Sequence, residues 1–283
     1  MIIACATDER YAELAAVLLR SIAENADLPG TRVYLVGDGL GSRTRDWLAA
    51  SAAGLDYRFI DLDAIRADIS GLPVSLYSTA IHIRLLLPRL IPESGRALYL
   101  DSDTMITGSL RPLRELDLGD ALAAAVADAG RAAEFSARRL DRPADAPYFN
   151  SGVLLFDIGV WRQAGLGDAC VRTAASRNDL WPDQDAINLT LDGRILALDR
   201  KWNFWSQEPL PRGAFEDARI VHFIPDKPLF PACRHPLLED FLALRATTPW
   251  RDIALKGSER ERRLEMFRQA AIQTVRRRKG DEP

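Results

Sequence analysis

The sequence predicts an α/β fold built on a mostly parallel, doubly wound sheet. Three observations carry that prediction. Short apolar runs of strand length alternate with helix-periodic stretches through the first hundred residues, the pattern of βαβ units. Several of those runs end on an acidic residue, at Asp8, Asp38 and Asp101, which is where open α/β sheets collect their ligands. There is no internal repeat and no low-complexity linker, so the 283 residues read as one domain over 1–250 with a basic helical tail over 251–283.

The elements follow in order. Residues 2–6 are apolar and form the first strand. The helix after Tyr11 is amphipathic, because Leu14, Val17, Leu18 and Ile22 recur at helical spacing. Pro29-Gly30 ends it. Residues 33–37 make the second strand. Ser42 is expected to cap a helix carrying Trp47 and Leu48. Residues 57–62 form the third strand, and 78–90 a helix with His82 and Arg84, His82 being expected on its surface. Residues 97–100 are a short buried strand that runs straight into Asp101-Ser102-Asp103. A turn and a strand occupy 113–126. The stretch 129–146 is rich in Ala, Arg and Asp without a strong period, and reads as helix and flexible loop, a candidate lid or acceptor-binding insertion.

A small polar triplet, Asn150-Ser151-Gly152, then opens a central strand, and glycine there marks close approach of a ligand or another backbone. A helix with Trp161 near its start follows. Another starts at Trp181-Pro182, with Asp183 as its expected cap and Gln184 and Asp185 in its first turn. Residues 194–198 and 219–223 are late strands, the second containing His222. A last helix is expected from His235.

Composition excludes several classes. Hydrophobic content of 47%, charged content of 27% and a net charge of −3 suit an ordinary soluble protein and give no reason to expect nucleic-acid binding. The opening residues carry no basic leader, and no apolar run reaches the 18 or so residues of a membrane span, so the chain is expected in the cytoplasm. Cys5, Cys170 and Cys233 have no metal-type spacing and read as reduced packing residues. Neither a Gly-x-Gly-x-x-Gly nor a Walker loop is present, which argues against dinucleotide or NTP chemistry.

Asp101 and Asp103 are the chemical focus. Two residues apart in an extended chain, their carboxylates point to one side, about 7 Å apart. Two such groups at the end of a buried strand repel each other and invite a divalent cation with oxygen ligands. A polar turn or helix cap is the bland alternative. A phosphotransferase built on Asp-x-Asp is disfavoured by Met105, which stands where that motif expects Thr or Val.

Together these pieces resemble glycosyltransferase family 8, the retaining enzymes that include bacterial lipopolysaccharide galactosyl- and glucosyltransferases and glycogenin. The resemblance rests on Ala6-Thr7-Asp8-Glu9-Arg10-Tyr11, Arg84, Leu98-Tyr99-Leu100-Asp101-Ser102-Asp103, Phe149-Asn150-Ser151-Gly152-Val153, Asp183-Gln184-Asp185, His222-Phe223 with Lys227-Pro228, and Thr248-Pro249-Trp250. These span nearly the whole chain in family order. The resemblance implies a GT-A fold, a UDP-sugar donor and manganese, with magnesium the alternative. It implies Asp101, Asp103 and His222 as metal ligands. Thr7, Asp8 and Tyr11 would line the uridine site, Arg84 and Asn150 would hold the donor sugar or diphosphate, and Ala6, Asp101, Ser102 and Ser151 would also bind the donor. Lys227 would contact the diphosphate. Asp183, Gln184 and Asp185 would face the sugar, with Gln184 nearest the anomeric carbon.

The expected activity is metal-dependent, retaining transfer of glucose or galactose to a saccharide or glycolipid acceptor, as in lipopolysaccharide biosynthesis. A catalytically silent nucleotide-sugar binder is the alternative. An amide such as Gln184 is a poor nucleophile, which favours same-face attack over a covalent intermediate; Asp185 is the fallback nucleophile. One departure stands out. Pro225 occupies a position where the family has Gly, and His222 to Lys227 is one residue short, so a backbone donor to the diphosphate is expected to be lost.

The tail is strongly basic, with nine Lys/Arg against three Glu between Lys256 and Lys279. Leu264, Phe267, Ala271 and Val275 share one helical face. Such a helix suits an anionic membrane surface, which places the protein at the inner face of the membrane as an expected peripheral contact.

Overall fold

The computed structural model describes residues 1–64, 79–128, 139–143, 146–177, 181–206, 208–231 and 233–255. The main sheet is built from β1 (Ile2–Asp8), β2 (Arg32–Asp38), β3 (Asp56–Asp61), β4 (Arg96–Asp101), β6 (Ala123–Ala127), β7 (Phe149–Asp157) and β8 (Ile195–Leu198). Their order is β3-β2-β1-β4-β7-β6-β8. All pairings are parallel except those of β7, which runs antiparallel to both β4 and β6. A second, two-stranded sheet pairs β5 (Thr104–Ile106) with β9 (Ile220–His222) antiparallel.

The strand period of two sorts side chains onto the two faces. Ala4 and Ala6 of β1 and Ala97 and Tyr99 of β4 join one core cluster, with α3 (Ile83–Leu90), α5 (Ile158–Gln163), α6 (Leu166–Ser176) and α7 (Pro182–Thr190). Ile3, Cys5, Leu98 and Leu100 join the other, with α1 (Ala12–Asn25), α2 (Ser42–Ser51) and α4 (Arg111–Glu115). The result is the expected three-layer α/β arrangement. Connections leave β1 toward β2 on one side and β4 on the other, so the ends of β1 and β4 form the crevice where such sheets bind ligands. A third cluster packs Val221 and Phe223 against Leu14 and Val17 of α1 and Phe241 of α8 (Leu238–Arg245).

Some boundaries differ from the sequence reading. The α2 cap is Gly41, with no side-chain capping bond; Glu9 instead accepts from the Gly41 N–H at 3.2 Å. Pro182 takes the first position of α7, as proline favours, so Asp183 lies inside the first turn and is not its cap. Helix α8 begins at Leu238, three residues late, because the His235 ring accepts the Leu237 N–H at 3.1 Å and turns the chain first. His82 lies in a 3₁₀ turn, Thr79–His82, that packs on β1 and β2, and it is buried rather than on a helix surface. The lid expected over 129–146 falls largely outside the described residues, and the basic tail from 256 onward falls wholly outside them.

All three cysteines are buried and none is in a disulfide. Burial pushes the Cys5 thiol up to about 12 and that of Cys170 to about 11, so both are packing groups rather than nucleophiles. Among the described residues, no helix is long and apolar enough to cross a membrane.

Candidate functional site

Asp101 ends β4 on the same face as Ala97 and Tyr99, and that face meets α3. Arg84 of α3 takes advantage of this. Its Nη2 donates to Asp101 Oδ1 at 2.7 Å, its Nη1 donates to Ser151 Oγ at 2.8 Å, and its Nε lies 3.1 Å from Asp183 Oδ2. The Tyr99 hydroxyl donates to Asp101 Oδ1 at 2.9 Å. The guanidinium is buried, yet burial is outweighed by Asp101 and Asp183, which hold it charged.

Asp103 lies in the turn between β4 and β5. Because β5 pairs with β9, Thr104 stands opposite His222, and the Asp103 carbonyl accepts from Phe223 N at 2.9 Å. His222 Nε2 therefore reaches 3.1 Å from Asp103 Oδ1 and 3.8 Å from Asp101 Oδ2. One ligand atom from each of the three residues lies within 4.8 Å of the others.

A chain of hydrogen bonds orients the His222 ring. The Gly152 N–H donates to Asn150 Oδ1 at 2.9 Å, which identifies that atom as the oxygen. The same oxygen accepts from Asn203 Nδ2 at 2.8 Å, so Asn203 turns its own oxygen toward His222 Nδ1, 3.0 Å away. His222 then donates from Nδ1 to Asn203 and turns its Nε2 toward the two carboxylates. Two carboxylate oxygens and one imidazole nitrogen oriented by a distant amide are the donor set and outer support of a divalent metal site. The residues present fit such an ion.

Lys227 completes the cluster. Its ammonium binds Asp103 Oδ2 and also lies 3.4 Å from the Phe223 carbonyl. The shortened His222-to-Lys227 run, with its cis Ile224–Pro225 peptide, still delivers the lysine to the acidic pair. Burial disfavours the Asp103 anion, but Lys227 and then His222 outweigh it, and the carboxyl lies well below the usual range. Burial likewise opposes the Lys227 charge, and Asp103 more than restores it.

The reversed direction of β7 puts its first residues, not its last, at this end of the sheet. Gly152 backs directly onto the cluster: a Cβ there would come within 2.3 Å of His222 Cε1 and 2.7 Å of Asp101 Oδ2. The Ser151 N–H donates to Gln184 Oε1 at 3.0 Å, and its hydroxyl lies 3.2 Å from Asp183 Oδ2. Asp185 is fully buried. Its carboxylate accepts from Tyr148 Oη at 2.6 Å, Arg139 Nη2 at 2.5 Å and Trp181 N at 3.3 Å.

The first loop flanks the same edge. Ala6 stands opposite Asp101 in the β1–β4 register, and Asp8 stands opposite Asp38 in the β1–β2 register. Thr7 is buried and donates to the Asp8 carbonyl at 3.2 Å. Asp8 Oδ1 accepts the N–H groups of Arg10 and Tyr11 at 3.1 and 3.0 Å. The Tyr11 ring lies 5.6 Å from Lys227 Nζ, and Ser102 sits half-buried in the turn between the two aspartates. Sequence reasoning missed Asn203, whose only signal is an amide between two aromatics, and Asn188, which clamps Phe149 through both its backbone groups at 2.8 Å. It also misjudged His82, buried with both ring nitrogens unpartnered and its pKa lowered by burial.

Comparison with known proteins bears on the family and the fold. The sequence profile of the family described as Glycosyl transferase family 8 matches residues 2–228. Lipopolysaccharide 1,2-glucosyltransferase of Escherichia coli K12 is 27% identical over 267 residues, covering 88% of this chain and 79% of that protein. General stress protein A of Bacillus subtilis 168 is 24% identical over 275 residues, covering 89% and 95%. Among solved structures, the galactosyltransferase LgtC in complex with donor and acceptor sugar analogs superposes with a TM-score of 0.70 at 24% identity, over 89% of this chain and 99% of that one. That last likeness is one of fold.

Proposed function

The chain belongs to glycosyl transferase family 8, and on that premise we propose that it is a metal-dependent, retaining hexosyltransferase moving glucose or galactose from a UDP-sugar to a saccharide or glycolipid acceptor. The observation that carries this reading is the Asp101–Asp103–His222 cluster, with the imidazole Nε2 turned toward both carboxylates through Asn203. The lipopolysaccharide glucosyltransferases among its relatives support a hexose and a glycan acceptor. The basic tail is the segment we assign to contact with an anionic membrane surface.

Asp101, Asp103 and His222 would hold manganese, with magnesium the alternative. Such an ion, when bound, supplies positive charge where the leaving diphosphate gains negative charge. Lys227 adds a second positive group at the same place. Arg84, Ser102, Asn150 and Ser151 shape the donor side of the site, and Ala6, Thr7, Asp8 and Tyr11 line the uridine. Gln184 is held by Ser151, so its amide is a fixed dipole suited to stabilising oxocarbenium character. Asp183 is engaged by Arg84 and Ser151, and Asp185 by Tyr148 and Arg139. We therefore assign the two carboxylates to positioning. The acceptor hydroxyl attacks on the face that the diphosphate leaves. Its oxygen bonds to the anomeric carbon, the carbon–phosphate oxygen bond breaks, and a leaving phosphate oxygen takes the proton.

The test is a calorimetric titration of UDP with and without manganese, on the wild type and on Asp103→Ala. Metal-dependent binding that the substitution abolishes, followed by UDP release from UDP-glucose or UDP-galactose, is the expected result. UDP binding that ignores both metal and substitution overturns the metal mechanism.

A further inference from the structure

Beside the acidic cluster lies a cavity of ≈380 Å³, within the range of small-molecule sites. Its apolar wall comes from Tyr11, Leu210, Phe215, Leu229, Phe230 and the His235 ring, with the charged Arg10, Glu208, Asp226, Lys227 and Arg234 also lining it. Phe215 and Leu229 belong to the core cluster beneath, while Tyr11, Leu210 and Phe230 are only half-buried against it and turn apolar surface to the cavity. His235 is fixed edge-on between Phe215 and Phe223, with ring centroids 5.1 and 4.6 Å away. Its Nδ1 accepts from Leu237 N at 3.1 Å, so a neutral ring carries its proton on Nε2. Burial holds that ring neutral, its pKa lowered to about 4 against an opposing pull from Asp226.

Lys227 is common to the two places: it lines the cavity, and its ammonium binds Asp103. The cavity thus begins one side chain from the acidic pair. The donor does not suit it. Of the residues assigned to the donor, only Tyr11 and Lys227 line it, and Asp101, Asp103, Arg84, Asn150 and Gln184 do not. Arg10, Lys227 and Arg234 bring cations to its wall, but Glu208 and Asp226 stand among them, and most of the lining surface is rings and aliphatic carbons, which match neither a diphosphate nor free sugar hydroxyls. Same-face attack puts the reacting acceptor hydroxyl beside the leaving diphosphate, and so beside Asp103 and Lys227. The remote part of the acceptor then runs past Lys227.

We propose that the cavity receives an apolar aglycone attached to the acceptor saccharide, so that the acceptor is a hydrophobic glycoside rather than a free oligosaccharide. This rests on the transferase reading above. The aglycone's chemistry is shared by a lipid chain and an aromatic small molecule, and the test separates them. With full-length protein saturated in UDP and manganese, the affinities of methyl, n-octyl and 4-nitrophenyl β-glycosides are measured by calorimetry, in both the glucoside and the galactoside series. In at least one series, the octyl or the nitrophenyl glycoside is expected to bind at least tenfold more tightly than the methyl one, octyl indicating a lipid and nitrophenyl an aromatic acceptor. Phe230→Ala removes that preference, with UDP affinity as the internal control. If Phe230→Ala does not fold, Phe230→Trp, which fills the cavity, must remove it as well. Equal affinity for all three glycosides overturns the proposal, as does a preference that survives the substitution. Loss of UDP affinity in the Phe230 variant assigns the cavity to the nucleotide and also overturns it. Failure of the transferase reading shows separately, as UDP binding that ignores manganese.

Discussion

Asp103 serves two partners at once: His222 on one oxygen and Lys227 on the other. Arg84 neutralises Asp101 from a framework that includes the Ile81 carbonyl at 3.1 Å and Ser151. Lys227 has a slighter anchorage, since beyond Asp103 it touches the Phe223 carbonyl and the space beside Tyr11. The lysine therefore stands where a cation coordinating Asp103 must compete. Lys227→Met removes the competitor. We expect the nucleotide-free protein to bind manganese about tenfold more tightly in that variant, since a charged hydrogen bond is worth about 1.5 kcal/mol or more, while UDP binds more weakly. Titration followed by the manganese EPR signal checks the first part. Unchanged or weakened metal affinity would show that Lys227 supports the site rather than occupying it. At this scale the sequence named Asp101, Asp103, Arg84 and His222 through their motif, but it hid Asn203. That amide acts only through its contacts with His222, 19 residues away, and Asn150, 53 residues away, and no local pattern announces such a pairing.

The decisive element is β7. Its apolar run marked it as a strand, yet nothing in a two-residue period distinguishes a strand that runs up from one that runs down. Only the reversed direction brings Asn150, Ser151 and Gly152 to the carboxyl end of β4, where the register sets Leu100 opposite Val153. Gly152 then becomes a wall of the site rather than a hinge. Gly152→Ala forces a methyl into space held by the His222 ring and the Asp101 carboxylate, which Asn203 and Arg84 hold in place. Overpacking of this kind costs about 1–3 kcal/mol. Thermal unfolding should show that loss, and manganese affinity should fall far more than stability does. A variant with native metal affinity would show that the cluster tolerates a shift of several tenths of an ångström.

Across the whole molecule, the part of the chain that supplies His222 and Lys227 is joined to the first helix by a buried ion pair. Glu13 of α1 binds Arg245 of α8, both largely shielded from water, and Arg245 also donates to the Ile253 carbonyl at 2.5 Å. Trp250 meets Trp47 of α2 edge-on, 5.1 Å between ring centroids. The sequence flagged Thr248-Pro249-Trp250 only as a motif, because contacts across 232 residues leave no trace in local spacing. A buried pair is costly to desolvate and costly to break. Removing one partner strands the other charge, at about 3–5 kcal/mol, whereas replacing both with apolar groups of similar volume is often neutral. Arg245→Met is therefore expected to lower the melting temperature by about 10 °C, at about 2–4 °C per kcal/mol for a chain of this size, and Glu13→Met by a similar amount. The double substitution should be more stable than either single one, because no orphaned charge remains. A double-mutant cycle from thermal or urea unfolding measures the coupling. Additive losses would mean that the two residues act through separate packing contacts, and that the ion pair itself does not join the late part of the chain to the sheet.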